Sequence, residues 1–179
     1  MAASKTVTGL RERLLAGFAL PGGADGSGLL RDPAVLGELG PALAGLHAGK
    51  PTVVAGIQSL GMLLGPLVAL HLGVGFIAVR KYPPSYQDDG ELMWLRTTPP
   101  DYMDRGLELG LPRHLLSPRD RVLLVDEWIE TGAQATAAAR LARDAGAGWV
   151  GVSVIVDGTT SEVRRRLNVR CLLRAHEVF

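Results

Sequence analysis

The sequence predicts one α/β domain with a mainly parallel, twisted sheet flanked by helices, together with a flexible flap. Three observations predict this fold class. Apolar runs of strand length alternate with longer helical patterns along the 179 residues. The composition, 47% hydrophobic and 21% charged, is that of a globular chain large enough to bury a sizeable core. Polar residues follow three of the apolar runs, at the strand ends where parallel sheets bind ligands.

Local patterns locate the individual elements. Asp32 is the predicted N-cap of a helix that begins at Pro33, because an aspartate followed by proline is a common helix start. The run 52–57 is β-branched and apolar, which predicts a buried strand. In chain order we predict helix 10–18, helix 33–46, strand 52–57, helix 61–72, strand 75–79, strand 122–125, helix 135–145, strand 149–156 and a candidate last strand 169–173.

Two stretches lack such a pattern. Residues 1–30 combine an N-terminal helix with a glycine-rich, variable segment, and residues 31–179 are predicted to form the core. Within that core, residues from 82 to 106 are rich in proline, tyrosine and acidic residues. This composition predicts either an irregular hairpin or a long mobile flap, and long segments of this kind are often functional lids.

The bulk properties exclude several classes of function. A net charge of +1 gives no broad attraction to nucleic acid or to a membrane surface. Cys171 is the single cysteine, so an intrachain disulfide is impossible and a reducing, cytoplasmic location is expected. The first residues lack an apolar signal core. The four histidines show no metal-ligand spacing.

The run from Val122 to Gln134 is the most informative part of the chain. Four apolar residues predict a strand that ends at Asp126 and Glu127, and a Thr-Gly loop then leads into an alanine-rich helix. Adjacent carboxylates can accept hydrogen bonds from vicinal hydroxyls. The free N–H groups and the positive dipole end of the helix can hold a phosphate, and glycine lets the backbone approach it closely. The pattern therefore predicts a sugar-phosphate site.

Polar residues at three strand ends extend this site. Gln58 and Ser59 follow the first predicted strand, Arg80 and Lys81 follow the second, and the acid pair follows the third. In one parallel sheet these ends open on the same edge. Cations beside a phosphate loop and a carboxylate pair suit a ribose that carries several phosphates.

The same residues carry a family resemblance. The run 122–134 resembles the phosphoribosyl-pyrophosphate (PRPP) motif of type I phosphoribosyltransferases, with an apolar strand, two acids and a Thr-Gly loop. Residues 54–81 resemble the corresponding stretch of adenine phosphoribosyltransferases, and 101–109 resemble the segment that closes their catalytic loop. The resemblance spans residues 30–167 and keeps order and spacing.

This resemblance implies a reaction and a set of site residues. The ribose 5-phosphate of PRPP would pass to a purine or purine-like base with release of pyrophosphate, as in nucleotide salvage, using Mg²⁺ and a homodimeric enzyme. Asp126 and Glu127 would hold the ribose hydroxyls and contact Mg²⁺ indirectly, through water or PRPP. The other implied binding residues are Thr131, Gly132, Ala133 and Gln134 for the 5′-phosphate, Gln58, Ser59, Leu60 and Gly61 for the pyrophosphate loop, and Arg80 and Lys81 for the PRPP phosphates.

The chain departs from the adenine family at several of these positions. Leu60 replaces an arginine of the pyrophosphate loop, and the loss of a charge-assisted contact would weaken PRPP binding by ~1.5–3 kcal/mol. Glu127 replaces the second aspartate with its charge kept, and Gln134 replaces a frequent threonine. The segment 18–28 is glycine-rich where the family carries an aromatic hood, so the sequence itself does not indicate adenine.

Further departures concern the base. Glu130 stands where the adenine family has a small residue and the hypoxanthine-guanine branch has an aspartate, so it is either the acceptor of a base proton or a solvated loop acid. Trp128 is predicted to stack on the base, with a core position as the alternative. Asp101 and Tyr102 fall where the family has Glu-Tyr, which makes Asp101 either a second catalytic candidate or part of a flap turn.

Two other classes of function are weighed. A catalytically weak or inactive PRPP- or nucleotide-binding regulator is favoured by Leu60 and the altered phosphate loop. A direct repressor is not, because the chain has no DNA-binding module or basic patch. A Rossmann-type dinucleotide binder fails because no G-x-G-x-x-G follows the first strand. The expected partners are PRPP and a nucleobase, with no nucleic acid and no membrane.

Overall fold

The computed structural model describes residues 2–19, 27–83, 93–98 and 107–178. Within them the helices are α1 (Ala2–Phe18), α2 (Pro33–Ala44), α3 (Gly61–Leu72), α4 (Ala133–Asp144), α5 (Ser161–Leu167) and α6 (Ala175–Val178). The strands are β1 (Val53–Ile57), β2 (Gly75–Tyr82), β3 (Met93–Thr97), β4 (Glu108–Pro112), β5 (Arg121–Ile129), β6 (Gly148–Asp157) and β7 (Val169–Arg174). Short 3₁₀ turns cover Ser27–Arg31 and Arg113–Leu115.

The described strands form one sheet with the order β3-β4-β2-β1-β5-β6-β7. Strands β2, β1, β5, β6 and β7 are parallel, and β4 and β3 add an antiparallel edge. This confirms the predicted mainly parallel α/β fold. The first crossovers place the C-terminal ends of β2, β1 and β5 side by side, which is the edge where the polar residues were expected to meet.

Two apolar layers cover the faces of the sheet. On one face, α4 buries alanines and Leu141 against the strands, with Leu141 wholly inaccessible. On the other face, α1, α2 and α3 share a cluster that includes Leu14, Leu39 and Leu64. Burial of each leucine side chain contributes about 1.5–3 kcal/mol, so these layers hold the helices to the sheet.

The helix signals of the first half are largely confirmed. The Asp32 carboxylate accepts a hydrogen bond from the Ala34 N–H at 2.9 Å, and Pro33 opens α2, which ends at Ala44 rather than at residue 46. Helix α3 has the predicted bounds. Helix α1 starts at Ala2, earlier than predicted, and buries Leu10 and Phe18 against the core.

The predicted end of β5 is wrong. The strand does not stop at Val125 but continues to Ile129, because Asp126, Trp128 and Ile129 remain paired with β6. The carboxylates therefore lie within the strand and are held by its ladder.

The stretch predicted as an irregular hairpin or flap is partly regular. Residues 93–97 form β3, which pairs with β4, and Arg96 of β3 forms a 2.7 Å ion pair with Asp144 of α4. The rest of that stretch, including the predicted residues Asp101 and Tyr102, lies outside the described residues. Among the helices that the structure describes, none combines the length and the apolar character needed to cross a bilayer.

Candidate active site

A cavity of about 210 Å³ opens at the C-terminal ends of β1, β2 and β5. It joins the three polar strand ends that the sequence singled out, and its floor is apolar. Its polar and loop lining consists of Gln58, Ser59, Lys81, Asp126, Glu127, Trp128, Glu130, Thr131, Gly132, Ala133 and Gln134. Three other predicted binding residues, Leu60, Gly61 and Arg80, do not line it.

The carboxylate pair lies in the wall of the cavity. The Glu127 N–H donates to Asp126 Oδ1 at 3.0 Å, so the two acids are tied to each other. Burial raises the pKa of Asp126 well above its usual range, and a side-chain hydrogen bond with Glu127 and the charge of Glu127 add to the rise. The Glu127 backbone N–H and the charge of Lys81 act in the opposite direction. Glu127 Oε2 is buried and makes no hydrogen bond within the described residues. The pair is therefore ready to accept hydrogen bonds from a ligand or to face a cation.

Lys81 brings positive charge to the opposite wall. It lies near the end of β2, where its backbone N–H donates to Gln58 Oε1 at 3.2 Å and joins the loop after β1 to β2. Arg80, its neighbour, is exposed and does not line the cavity. The structure thus brings together one of the two predicted cations with the carboxylate pair.

The loop after β1 contributes Gln58 and Ser59, which are linked by a cis peptide bond. Leu60 is the residue that precedes α3, and its side chain lies outside the cavity. Gly61 supports the site from behind, since a Cβ there would lie 3.0 Å from Asp126 Oδ1. Of the predicted pyrophosphate loop, Gln58 and Ser59 line the cavity, whereas Leu60 and Gly61 lie behind it.

The loop from Thr131 to Gln134 is shaped for an anion. Gly132 has φ +75°, and a Cβ there would lie 2.6 Å from Val163 Cγ1, so both the conformation and the packing require glycine. Thr131 Oγ1 accepts the Ala133 N–H at 3.2 Å. The following helix α4 directs its positive end toward the cavity, which is the geometry of a phosphate site.

Trp128 and Glu130 form the remaining polar wall. The Trp128 indole N–H donates to Glu130 Oε2 at 2.8 Å. The indole also meets the ring of Phe18 edge-on, with centroids 6.0 Å apart and an interplanar angle of 76°. Trp128 thus both lines the cavity and packs on the core. Sequence reasoning missed Phe18 because nothing local in α1 indicates a partner more than a hundred positions away.

A buried ionic cluster adjoins the site at the end of β6. The inaccessible carboxylate of Asp157 accepts hydrogen bonds from Thr159, from Arg174 and, at 2.6 Å, from Arg164 Nε. Burial alone would raise the pKa of Asp157, but the bonds from Arg164 and Thr159 outweigh it and lower the pKa. The cluster holds the turn that starts at Gly158. In the sequence, the signal for this cluster is an acid directly after the apolar run 149–156.

The donor set of the cavity suits a cation that arrives with a substrate. Within the part of the chain that the structure describes, no group of three or more His, Cys, Asp or Glu side chains is placed to hold a metal ion. Mg²⁺ is commonly bound by one or two carboxylates together with substrate phosphates and water. Asp126 and Glu127 are such a pair, and the unpartnered Glu127 oxygen fits this role.

Comparisons with known proteins agree on one family of relatives. No protein-family model matches the chain. An adenine phosphoribosyltransferase from Synechococcus sp. (strain JA-3-3Ab) is 37% identical over 159 residues, covering 81% of this chain and 82% of the relative. One from Mastomys natalensis is 34% identical over 164 residues, covering 88% of this chain and 87% of the relative.

Solved structures show the same likeness. The adenine phosphoribosyltransferase of Rhodothermus marinus superimposes with a TM-score of 0.68 at 29% identity, covering 83% of this chain and 84% of that one. The Giardia lamblia enzyme, solved with 9-deazaadenine, gives a TM-score of 0.69 at 29% identity, with 84% of each chain covered.

Proposed function

The chain belongs to the adenine phosphoribosyltransferase family of type I phosphoribosyltransferases, and we propose that its cavity forms AMP from PRPP and adenine. In this reaction a ring nitrogen of the base attacks the anomeric carbon of PRPP, the bond to pyrophosphate breaks, and the base loses one proton. The observation that carries the proposal is the meeting of a carboxylate pair, a lysine and a helix-start loop in one cavity. The relatives do not favour the regulatory alternative, because they are named as enzymes.

The ribose-phosphate half of PRPP would lie against β5 and the start of α4. We assign the ribose hydroxyls to Asp126 and Glu127, whose oxygens can accept two hydroxyl hydrogens. The 5′-phosphate is assigned to the loop 131–134, since its N–H groups and the helix dipole favour a dianion there.

The pyrophosphate half is assigned to the loop after β1 and to Lys81. Lys81 neutralises the charge that builds up on the departing pyrophosphate, and Gln58 and Ser59 offer polar groups beside it. Because Arg80 and Leu60 do not line the cavity, we expect their contribution to be smaller than that of Lys81.

Mg²⁺ is proposed to enter with PRPP and to contact Asp126 and Glu127 through water or through the substrate. When bound, the ion neutralises negative charge on the pyrophosphate. A cation close to Asp126 favours the ionised carboxylate and lowers its raised pKa. The ion and the substrate should therefore bind together.

The base is proposed to lie next to Trp128 and Glu130. Glu130 is exposed at the mouth of the site and carries a carboxylate that can take the proton leaving the base nitrogen. The roles of Asp101 and Tyr102 stay predictions. We further propose a homodimer in the cytoplasm, which the family resemblance and the single cysteine favour.

The experiment is a turnover assay with PRPP, Mg²⁺ and a panel of adenine, hypoxanthine, guanine and uracil. We expect nucleotide and pyrophosphate in equal amounts with adenine, and no product when Mg²⁺ is removed by chelation. Asp126→Asn should reduce PRPP affinity by about 10-fold or more, since it replaces a charged hydrogen-bond acceptor. No product with any base, or unchanged PRPP binding in Asp126→Asn, would contradict the proposal.

A further inference from the structure

Helix α5 packs against the back of the loop that leads into α4. A Cβ at Gly132 would lie 2.6 Å from Val163 Cγ1 and 3.4 Å from Leu167 Cδ1, so the two α5 side chains leave no gap behind this glycine. Leu167 is only 4% exposed. The loop is therefore supported by a second helix in addition to the one that it starts.

Arg166 of α5 adds hydrogen bonds to this contact. Its Nη2 donates to Thr136 Oγ1 of α4 at 3.3 Å. The same hydroxyl donates to the Gly132 carbonyl at 2.7 Å, and the Thr136 backbone N–H donates to that carbonyl at 2.8 Å. Because a hydroxyl carries one hydrogen and two lone pairs, it can donate to the carbonyl and accept from the guanidinium at once. The Gly132 carbonyl is thus held by α4 and, through the threonine, by α5.

This carbonyl and the Ala133 N–H belong to one peptide plane. In a trans peptide the two groups point in opposite directions, so a fixed carbonyl also fixes the N–H. The Ala133 N–H donates at 3.2 Å to Oγ1 of Thr131, a residue that lines the cavity. Since the Thr131 oxygen accepts this bond, its own hydrogen remains available to donate to an anion in the cavity.

We propose that Arg166 is a positioning residue for the 5′-phosphate. Through Thr136 it holds the Gly132–Ala133 peptide, and that peptide orients the Thr131 hydroxyl toward the phosphate. Arg166 does not line the cavity, so it acts through these groups and not by contact with the ligand. A loop that is already ordered loses less conformational entropy when the anion binds. The inference rests on the proposed function, which assigns the 5′-phosphate to this loop.

AMP and adenosine test the role, because they differ only in the phosphate. Arg166→Ala should weaken AMP binding by ~3–10-fold, the value of one hydrogen bond, and leave adenosine binding within about twofold of wild type. Calorimetry measures both affinities. In turnover, the same variant should raise KM for PRPP and leave kcat and KM for adenine unchanged. A variant damaged in its general structure would instead lose affinity for both ligands.

Arg165→Ala is the matched control. Arg165 precedes Arg166 on the same helix, is exposed, and its side chain makes no hydrogen bond or ion pair with the rest of the described chain. Its removal takes away the same charge, so AMP affinity should stay within about twofold of wild type.

Thr136→Val tests the route by which Arg166 acts. The substitution keeps the shape of the side chain, removes the hydroxyl, and should weaken AMP binding to a similar extent. Adding Arg166→Ala to this variant should cause no further loss, because the two side chains act as one unit.

The outcomes separate this inference from the proposed function. Unchanged AMP affinity in Arg166→Ala, equal losses of AMP and adenosine affinity, an equal loss in Arg165→Ala, or additive losses in the double variant would each overturn the role of Arg166 and leave the phosphoribosyl transfer standing. Wild-type protein that binds AMP no more tightly than adenosine would contradict the assignment of the phosphate to this loop, and this inference with it.

Discussion

At the scale of the residue, the carboxylate pair places unfavourable charge in the ligand-free site. Asp126 is buried beside Glu127, and its pKa is raised well above 3.8. The folded protein therefore binds a proton more tightly than the unfolded chain. As pH rises through the window between 3.8 and the raised pKa, the unfolding free energy decreases, because ionisation favours the unfolded chain. A cation or a hydroxyl donor from the substrate would offset this cost.

Asp126→Asn makes this linkage measurable. The amide resembles the protonated acid and cannot ionise, so the variant loses this part of the pH dependence. Relative to wild type, its unfolding free energy should become more favourable from pH 4 to pH 8. Urea unfolding across that range gives the difference, and the opposite pH dependence of Asp157 cancels between the two proteins. A constant difference between variant and wild type at all pH values would contradict the prediction.

At the scale of the element, the end of β6 depends on a buried charge. The Asp157 carboxylate is inaccessible, and Arg164 and Arg174 close over it from α5 and β7. The strand, the turn at Gly158 and the following helix are thereby held together. Gly158 of that turn lies against the Glu130 carboxylate, and its N–H donates to the Ile129 carbonyl. The Asp157 cluster therefore supports the cavity by holding the backbone of this turn, without itself contacting a ligand.

Asp157→Asn should lower the unfolding free energy by ~2–3 kcal/mol, because two arginines lose their buried acceptor charge. Arg13→Ala is the matched control, since it breaks a partly exposed ion pair with Glu38 at 3.2 Å and should cost less than ~1 kcal/mol. Both values come from urea denaturation at one pH. Equal losses in the two variants would show that the Asp157 cluster is not a principal support of this region.

Element boundaries were predictable where the local chemistry sets them. Asp32 and Pro33 fix the start of α2, and α3 has its predicted bounds. The end of β5 was not predictable, because pairing with β6 outweighs the polarity of Asp126 and Glu127. Strand β3 was hidden for the same reason, since its regularity comes from pairing with β4, which lies beyond a proline-rich stretch.

At the scale of the whole molecule, the face formed by α3 bears the most exposed large apolar side chains of the described chain. Leu70 is 80% exposed and Leu63, two turns away on α3, is 56% exposed. A homodimer that covers this face would remove both from water. The sequence did not predict this exposed apolar face, because the exposure of Leu63 and Leu70 depends on which side of α3 packs against the sheet.

Leu70→Glu should convert a dimer into monomers without loss of the fold, since the side chain is not part of the core. Leu115→Glu, at a 42% exposed leucine in the turn Arg113–Leu115, is the control and should leave the dimer intact. Light scattering after size-exclusion chromatography measures the mass. A monomeric wild-type protein, or a dimer that persists in Leu70→Glu, would contradict this assignment of the interface.

The site itself was predictable in kind but not in detail. The acid pair, Lys81 and the Thr131–Gln134 loop meet as expected, because parallel strand ends share one edge. Arg80 points elsewhere, since neighbouring residues of a strand face opposite sides. The contact between Phe18 and Trp128 could not be predicted from local sequence, because it depends on the tertiary packing of α1.

That last contact has an evolutionary consequence. Residues that touch a substrate are constrained by catalysis, whereas Phe18 lies in the core and packs edge-on against Trp128. Drift at Phe18 can tilt the indole, and with it the Glu130 carboxylate, while every substrate-facing residue stays the same. The first helix is thus a place where substitution can reshape one wall of the cavity without changing any residue that lines it.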